Sequence, residues 1–74
     1  MSWGRFSSKE LARGALLSAF FKSPGWWNRD AIRTWAHERA ITSENAMILV
    51  MALHTEGRLD TRLESGRLNW RAKK

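Results

Sequence analysis

The chain has 74 residues, which is enough for one domain over residues 1–74, and it contains no cysteine, which excludes disulfide bonds and thiolate metal clusters. A domain this small has a thin core, so five Trp and three Phe must supply much of its apolar packing. The net charge is +6, and nine of the 13 basic residues are Arg, which favours a polyanionic partner.

The first helix is predicted over residues 8–22. Ser7-Ser8-Lys9-Glu10 has the pattern of a capping box, with Ser7 as the N-cap and Glu10 reaching back to its backbone N–H. Phe6 and Leu11 then occupy the two positions of a hydrophobic staple. Pro24-Gly25 ends the helical pattern. The side chains expected on the buried stripe are Leu11, Ala15, Leu16, Ala19 and Phe20.

The second helix is predicted over residues 29–39, after a short extended segment at Trp26-Trp27. Asn28 can cap this helix, and the helix dipole favours Asp30 in its first turn. The inner stripe is expected to contain Ile32, Trp35 and Ala36.

The third helix is predicted over residues 43–56, with either Thr42 or Ser43 as its N-cap and Gly57 in the left-handed conformation after its end. One face is apolar and should point inward: Ala46, Leu49, Val50 and Leu53. The outward face is also partly apolar, since it carries Ile48 and Met51, with Met47 beside them.

The C-terminal segment is predicted to form a β-hairpin with strands over residues 58–64 and 67–73. Apolar and polar residues alternate in both runs, and Ser65-Gly66 between them fits a two-residue turn. Such a turn determines which residues face each other across the strands. The expected pairs are Leu63–Leu68 and Thr61–Trp70 on the buried face, and Glu64–Arg67 and Asp60–Arg71 on the solvated face.

The order of helix, short strand, helix, turn, helix and hairpin resembles that of the winged helix-turn-helix superfamily. The matching segments are the apolar positions of its first motif helix (Ile32, Trp35, Ala36), its turn (Ala40-Ile41-Thr42, with Ala40 at the usual glycine), the inner face of its recognition helix (Ala46, Leu49, Val50, Leu53) and its exit into the wing (Glu56-Gly57-Arg58-Leu59). Trp26-Trp27 matches the short strand that pairs with the wing. The resemblance implies an α+β, mainly helical fold, a three-helix winged helix-turn-helix with a C-terminal β-hairpin wing.

Sequence patterns for catalysis and metal binding are missing. His37-Glu38 begins like a zinc-protease helix, but the position of the second histidine is occupied by Ile41. His37 and His54 fall on different predicted helices, and the five glycines are scattered singly, so no phosphate loop is present. We therefore expect a protein that is not an enzyme and that has no metal or other cofactor.

The resemblance and the charge together predict binding to double-stranded DNA, by a small transcriptional regulator or architectural protein that acts by occupying its site, with or without sequence specificity. Residues 58–74 hold six basic and two acidic side chains, a net charge of +4. Basic side chains neutralise phosphates and release counterions. The predicted DNA contacts are Arg58, Arg62, Arg67, Arg71, Lys73 and Lys74 on the wing, Ser43 and Asn45 on the third helix, and Arg29 and Arg33 on the second.

Two alternatives stay open at the level of sequence. A protein-binding adaptor or inhibitor would use the apolar outer side of the third helix, with Met47, Ile48, Met51 and Trp26 as anchors, and a homodimer through the same helix is compatible with it. Binding of single-stranded nucleic acid or RNA would instead use exposed Trp and Arg side chains.

A membrane location is not expected. The longest apolar run, residues 46–53, has eight residues, against the ~20 needed to cross a bilayer. The first residues have no apolar stretch like that of a signal peptide. A cytoplasmic location is therefore predicted, with no membrane partner.

Overall fold

The structure is a computed structural model that describes residues 3–73. Three helices are followed by a two-stranded antiparallel hairpin: α1 (Lys9–Lys22), α2 (Arg29–His37), α3 (Ser43–Thr55), β1 (Leu59–Glu64) and β2 (Arg67–Ala72). The predicted α+β, mainly helical layout is thereby confirmed, and the ends of its elements either match the predicted ones or differ by at most two residues.

Each helix is preceded by a residue whose side-chain oxygen accepts a backbone N–H three positions further on: Ser8 from Leu11 at 3.2 Å, Asn28 from Ala31 at 2.8 Å and Thr42 from Asn45 at 3.2 Å. The predicted cap at Asn28 is confirmed, and Thr42 is the cap of α3. The predicted capping box is wrong, because Ser8 rather than Ser7 is the N-cap of α1. The helix consequently begins at Lys9.

The buried face of α1 also differs from the prediction in its first turn. Ala12, Leu16 and Phe20 are buried, whereas Leu11 is exposed. Phe6 does not form a staple with Leu11 but stacks on Trp35, with ring centroids 6.3 Å apart. The staple requires a hydrophobic residue immediately before the N-cap, and that position is Ser7 once the cap is Ser8.

The core lies between the three helices and the base of the hairpin. The predicted inner positions of α2 and α3 are buried, and so is Trp70 of β2. The buried side chains are Ala12, Leu16, Phe20, Ile32, Trp35, Ala36, Ile41, Ala46, Leu49, Val50, Leu53, Leu59 and Trp70. Every helix and both strands therefore contribute to one cluster.

The predicted register of the hairpin is confirmed, with Leu63 opposite Leu68 and Glu64 opposite Arg67. Ser65 and Gly66 in the turn have φ of 52° and 76°, and two positive φ values are the mark of a type I′ turn. This turn matches the right-handed twist of the two strands, so it holds them in one register.

The predicted burial of the outer half of the hairpin is wrong. Leu63 is 68% exposed and Leu68 is 46% exposed, although Leu59 and Trp70 on the same face are buried. The reason is that the helices cover only the base of the hairpin, while its last residues before the turn extend beyond the core.

Trp27 continues the sheet on the other side of β2, as predicted for the short strand. Its N–H donates to the Trp70 carbonyl at 2.7 Å, and the Trp70 N–H donates to the Trp27 carbonyl at 2.9 Å. Because Asn28 follows directly as the cap of α2, this bridge joins the hairpin to the start of α2.

Candidate nucleic-acid interface

One cleft separates the tip of the hairpin from the start of α2. Its volume is about 340 Å³, and Arg29 of α2 and Arg67 of β2 contribute to its opposite walls. The Trp27–Trp70 bridge sets the spacing of these walls, because it lies one residue before the cap of α2. Leu68 also lines this cleft.

The second cleft lies between α2 and α3 and has a volume of about 420 Å³. Arg29 and Arg33 line its α2 side, and Ser43 and Ile48 line its α3 side. Since Arg29 belongs to both clefts, the two form one continuous surface. We call the surface defined by Arg29, Arg33, Ser43 and Arg67 the cleft face.

The arginines of the cleft face are available for an external anion. Among residues 3–73, neither Arg29 nor Arg67 forms an ion pair. Arg33 lies 3.7 Å from Asp30, but both side chains are largely exposed, and an ion pair in such a setting is weak. The N-terminus of α3 at Ser43 adds partial positive charge, which Glu44 in the first turn partly offsets.

Two other predicted contacts, Arg62 and Arg71, line neither of these clefts. Both guanidinium groups lie against the ring of Trp26, at 4.4 and 4.6 Å from its centroid. Arg71 is also 3.4 Å from a carboxylate oxygen of Asp60, as predicted from the cross-strand pairing. We call Trp26, Arg62, Arg71 and Asp60 the hairpin cluster.

Glu64 and Arg67 face each other across the strands as predicted, but they do not form an ion pair. The Glu64 carboxylate lies 3.4 Å from Arg62 of its own strand. Arg62 and Glu64 are two positions apart and share one face of the hairpin, where Trp26 holds the Arg62 guanidinium within reach. This leaves Arg67 at the tip without a carboxylate partner among the described residues.

The remaining predicted contacts lie elsewhere. Arg58 and Lys73 are exposed at the base of the hairpin, where the Lys73 N–H donates to the Arg58 carbonyl at 2.9 Å. Lys74 lies outside the described residues. Asn45 is half-buried in the first turn of α3. The predicted contacts therefore fall into three places: the cleft face with neighbouring Asn45, the hairpin cluster and the base of the hairpin.

The predicted protein-binding side of α3 is partly apolar in the structure. Ile48 and Met51 are 45% and 54% exposed. Met47, expected beside them on the outward face, is half-buried and packs against the core. Trp26, expected as an exposed anchor, is half-buried beneath two arginines.

Sequence reasoning missed Leu63 and Leu68 as surface residues. Positions of equal parity in a strand lie on the same face, so alternation predicts the same environment for Leu59 and Leu63. Which of them is covered depends on where the helices end in space. The alternation contains no signal that distinguishes the two.

No protein-family model matches this chain, and comparisons with curated proteins and with solved structures find no significant match. No helix between residues 3 and 73 combines the length and apolar character needed to cross a membrane.

Proposed function

We propose that this protein binds double-stranded DNA through the cleft face, as a non-enzymatic module of winged helix-turn-helix type. The main support for this proposal is that Arg29 lines both clefts. Arg29 therefore links the tip of the hairpin, the start of α2 and the start of α3 into one surface. Unpaired arginines on such a surface can contact successive phosphates on the two sides of a groove.

The arrangement of the elements supports the same proposal. A left-handed residue, Ala40 with φ of 59°, separates α2 from α3 at the position where the resembling family has glycine. Trp27 pairs with β2 as the short strand of that family pairs with its wing. In such modules the start of the third helix enters the major groove while the wing contacts the neighbouring backbone.

The proposal is tested by the fluorescence anisotropy of a labelled duplex titrated with the protein between about 50 and 200 mM salt. We expect the logarithm of the association constant to fall by about 3 to 5 per log unit of salt concentration, because roughly four to five phosphates would be neutralised. Arg29→Gln/Arg67→Gln should lower the magnitude of this slope by about 2, because two phosphate contacts are removed. An affinity that does not depend on salt would refute the proposal.

A charge-matched control separates the cleft face from net charge alone. Lys9→Gln/Lys22→Gln removes the same two positive charges from exposed positions at the ends of α1. It should leave the salt slope nearly unchanged. Equal losses in the two double variants would mean that the duplex responds to overall charge and that the cleft face is not the contact surface.

A second proposal concerns the outer side of α3, where Ile48 and Met51 are exposed one turn apart. Apolar side chains are poor readers of base edges, which are recognised mainly by hydrogen bonds. We propose that these two residues pair with a second copy of the chain. Sedimentation velocity should then detect a dimer that Met51→Glu dissociates, and a monomer at every accessible concentration would refute this pairing.

A further inference from the structure

The tip of the hairpin carries an exposed pair of leucines. Leu63 and Leu68 are directly opposite each other, one residue from the turn on each strand. Leu63 is the most exposed large apolar side chain in the described part of the chain. Side chains paired in this way have Cβ atoms about 5 Å apart, so the two leucines form one narrow apolar ridge.

Two arginines lie near this ridge, together with Asp30, which lines the same cleft as Leu68. Arg67 precedes Leu68 in the chain, and Arg29 lies across the cleft that Leu68 lines. Among residues 3–73 neither arginine has a carboxylate partner. An apolar ridge with free cations nearby is complementary to an anionic partner with an apolar interior, and the net charge of +6 opposes contact between this ridge and a second copy of the chain.

The hairpin is attached to the body along one edge, on its solvated face and at its base. On one edge, Trp70 exchanges two backbone hydrogen bonds with Trp27. On the solvated face, Arg62 and Arg71 pack on Trp26, which belongs to the segment before α2. The base is buried through Leu59 and Trp70, so the exposed tip is the end of an anchored ribbon.

We propose that the hairpin inserts Leu63 and Leu68 into the minor groove of the bound duplex and bends it. This inference rests on the proposed DNA binding and adds its mode. The minor groove is about 6 Å wide, so a narrow ridge can enter it, and apolar wedges between base steps bend duplexes by roughly 20–90°. Arg67 contacts the phosphates beside the wedge, and Arg29 contacts those across the cleft.

If Leu63 and Leu68 act as a wedge between base steps, the protein should prefer DNA that deforms easily. Pyrimidine–purine steps such as TA unstack at low cost, whereas A-tracts are stiff. The protein should therefore bind a duplex with central TA steps several-fold more tightly than an A-tract duplex of the same base composition. This preference comes from bending and needs no hydrogen bond to a base edge.

The experiment is Förster transfer between dyes at the two ends of a duplex of about 25 base pairs, with binding followed in parallel by anisotropy. Wild type should raise the transfer efficiency as it saturates the duplex. Leu63→Thr/Leu68→Thr keeps residues that favour strands but removes the ridge, so the increase in transfer should be lost and binding should weaken about tenfold. The control Leu11→Ala/Phe21→Ala removes two exposed apolar side chains of α1, away from both clefts, and should still bend the duplex.

The outcomes distinguish this inference from the proposed function. Wild type that shows no duplex binding refutes both. Binding without a change in transfer, or equal transfer in wild type and the leucine variant, refutes the wedge alone. If the wild-type protein forms a dimer in the absence of DNA, and Leu63→Thr/Leu68→Thr dissociates that dimer, the ridge contacts a second copy of the chain and the wedge is refuted. Circular dichroism checks folding, and Leu63→Thr alone replaces the double variant if that variant unfolds.

Discussion

Trp27 and Trp70 exchange two backbone hydrogen bonds, at 2.7 and 2.9 Å. Among residues 3–73, this bridge is the only strand pairing outside the hairpin itself. The side chain of Trp27 is fixed as well, because its Nε1–H donates to the Ser23 carbonyl at 2.9 Å and its ring packs on Phe20 at 4.6 Å. The hairpin is therefore attached to the body one residue before the cap of α2. This attachment places Arg67 across a cleft from Arg29.

Replacement of Trp26 should loosen the hairpin without unfolding the protein. Trp26→Leu removes two cation–π contacts, each worth about 0.5–1 kcal/mol at a partly exposed site, so we expect a loss of about 1–2 kcal/mol in the free energy of unfolding. Urea denaturation measures this loss. Trp26→Phe keeps an aromatic face and should lose less; equal losses in both variants would show that the arginine contacts do not stabilise the hairpin.

The position of the first helix cap is tested by two neighbouring serines. Ser8→Ala removes the acceptor for the Leu11 N–H and should lower stability by about 1 kcal/mol. Ser7→Ala should change stability by less than about 0.5 kcal/mol, because Ser7 precedes the cap and is exposed. Thermal denaturation of both variants measures the difference. If Ser7→Ala instead lowered stability more than Ser8→Ala, Ser7 would be the N-cap and the predicted capping box would be correct.

The turn between α2 and α3 contains a strained alanine. Ala40 has φ of 59°, a conformation that costs residues with a side chain about 1–2 kcal/mol. Ala40→Gly should relieve this strain and raise stability by about 1 kcal/mol, which corresponds to roughly 4–8 °C in Tm for a domain of this size. Ala31→Gly is the control, because the same change inside α2 should lower stability by about 0.5–1 kcal/mol. A lower Tm for Ala40→Gly would contradict the left-handed turn.

Two glycines should respond in opposite ways to the same substitution. Gly4 has φ of 58°, and a Cβ there would overlap the carbonyl oxygen of Arg39, so Gly4→Ala should cost more than about 1 kcal/mol. Gly14 lies within α1 and faces open space, so Gly14→Ala should stabilise the protein by about 0.5–1 kcal/mol.

Chemical denaturation of the two variants measures whether each substitution lowers or raises the free energy of unfolding. A neutral Gly4→Ala would mean that the segment before α1 is not docked on the end of α2. In the structure this docking is made by the Arg5 N–H, which donates to the Arg39 carbonyl at 3.0 Å, and by Phe6 on Trp35.

Much of the candidate site could be predicted, because its cations lie at recognisable positions of recognisable elements. Arg29 and Ser43 follow helix caps, and Arg67 follows a two-residue turn. The grouping of the arginines could not be predicted. Glu64 pairs with Arg62 and not with Arg67, because Trp26, which is distant in the chain, packs against the Arg62 guanidinium and holds it near Glu64.

The amino-acid sequence by itself determined where the helices and strands lie and how the strands pair. Caps, breakers and the two-residue turn act through contacts between residues only a few positions apart, so their effect does not depend on the rest of the fold. The tertiary structure alone decided which apolar positions are covered. Leu59 and Leu63 have equivalent places in the alternation, yet only Leu59 meets the helices, because coverage depends on where distant segments end in space.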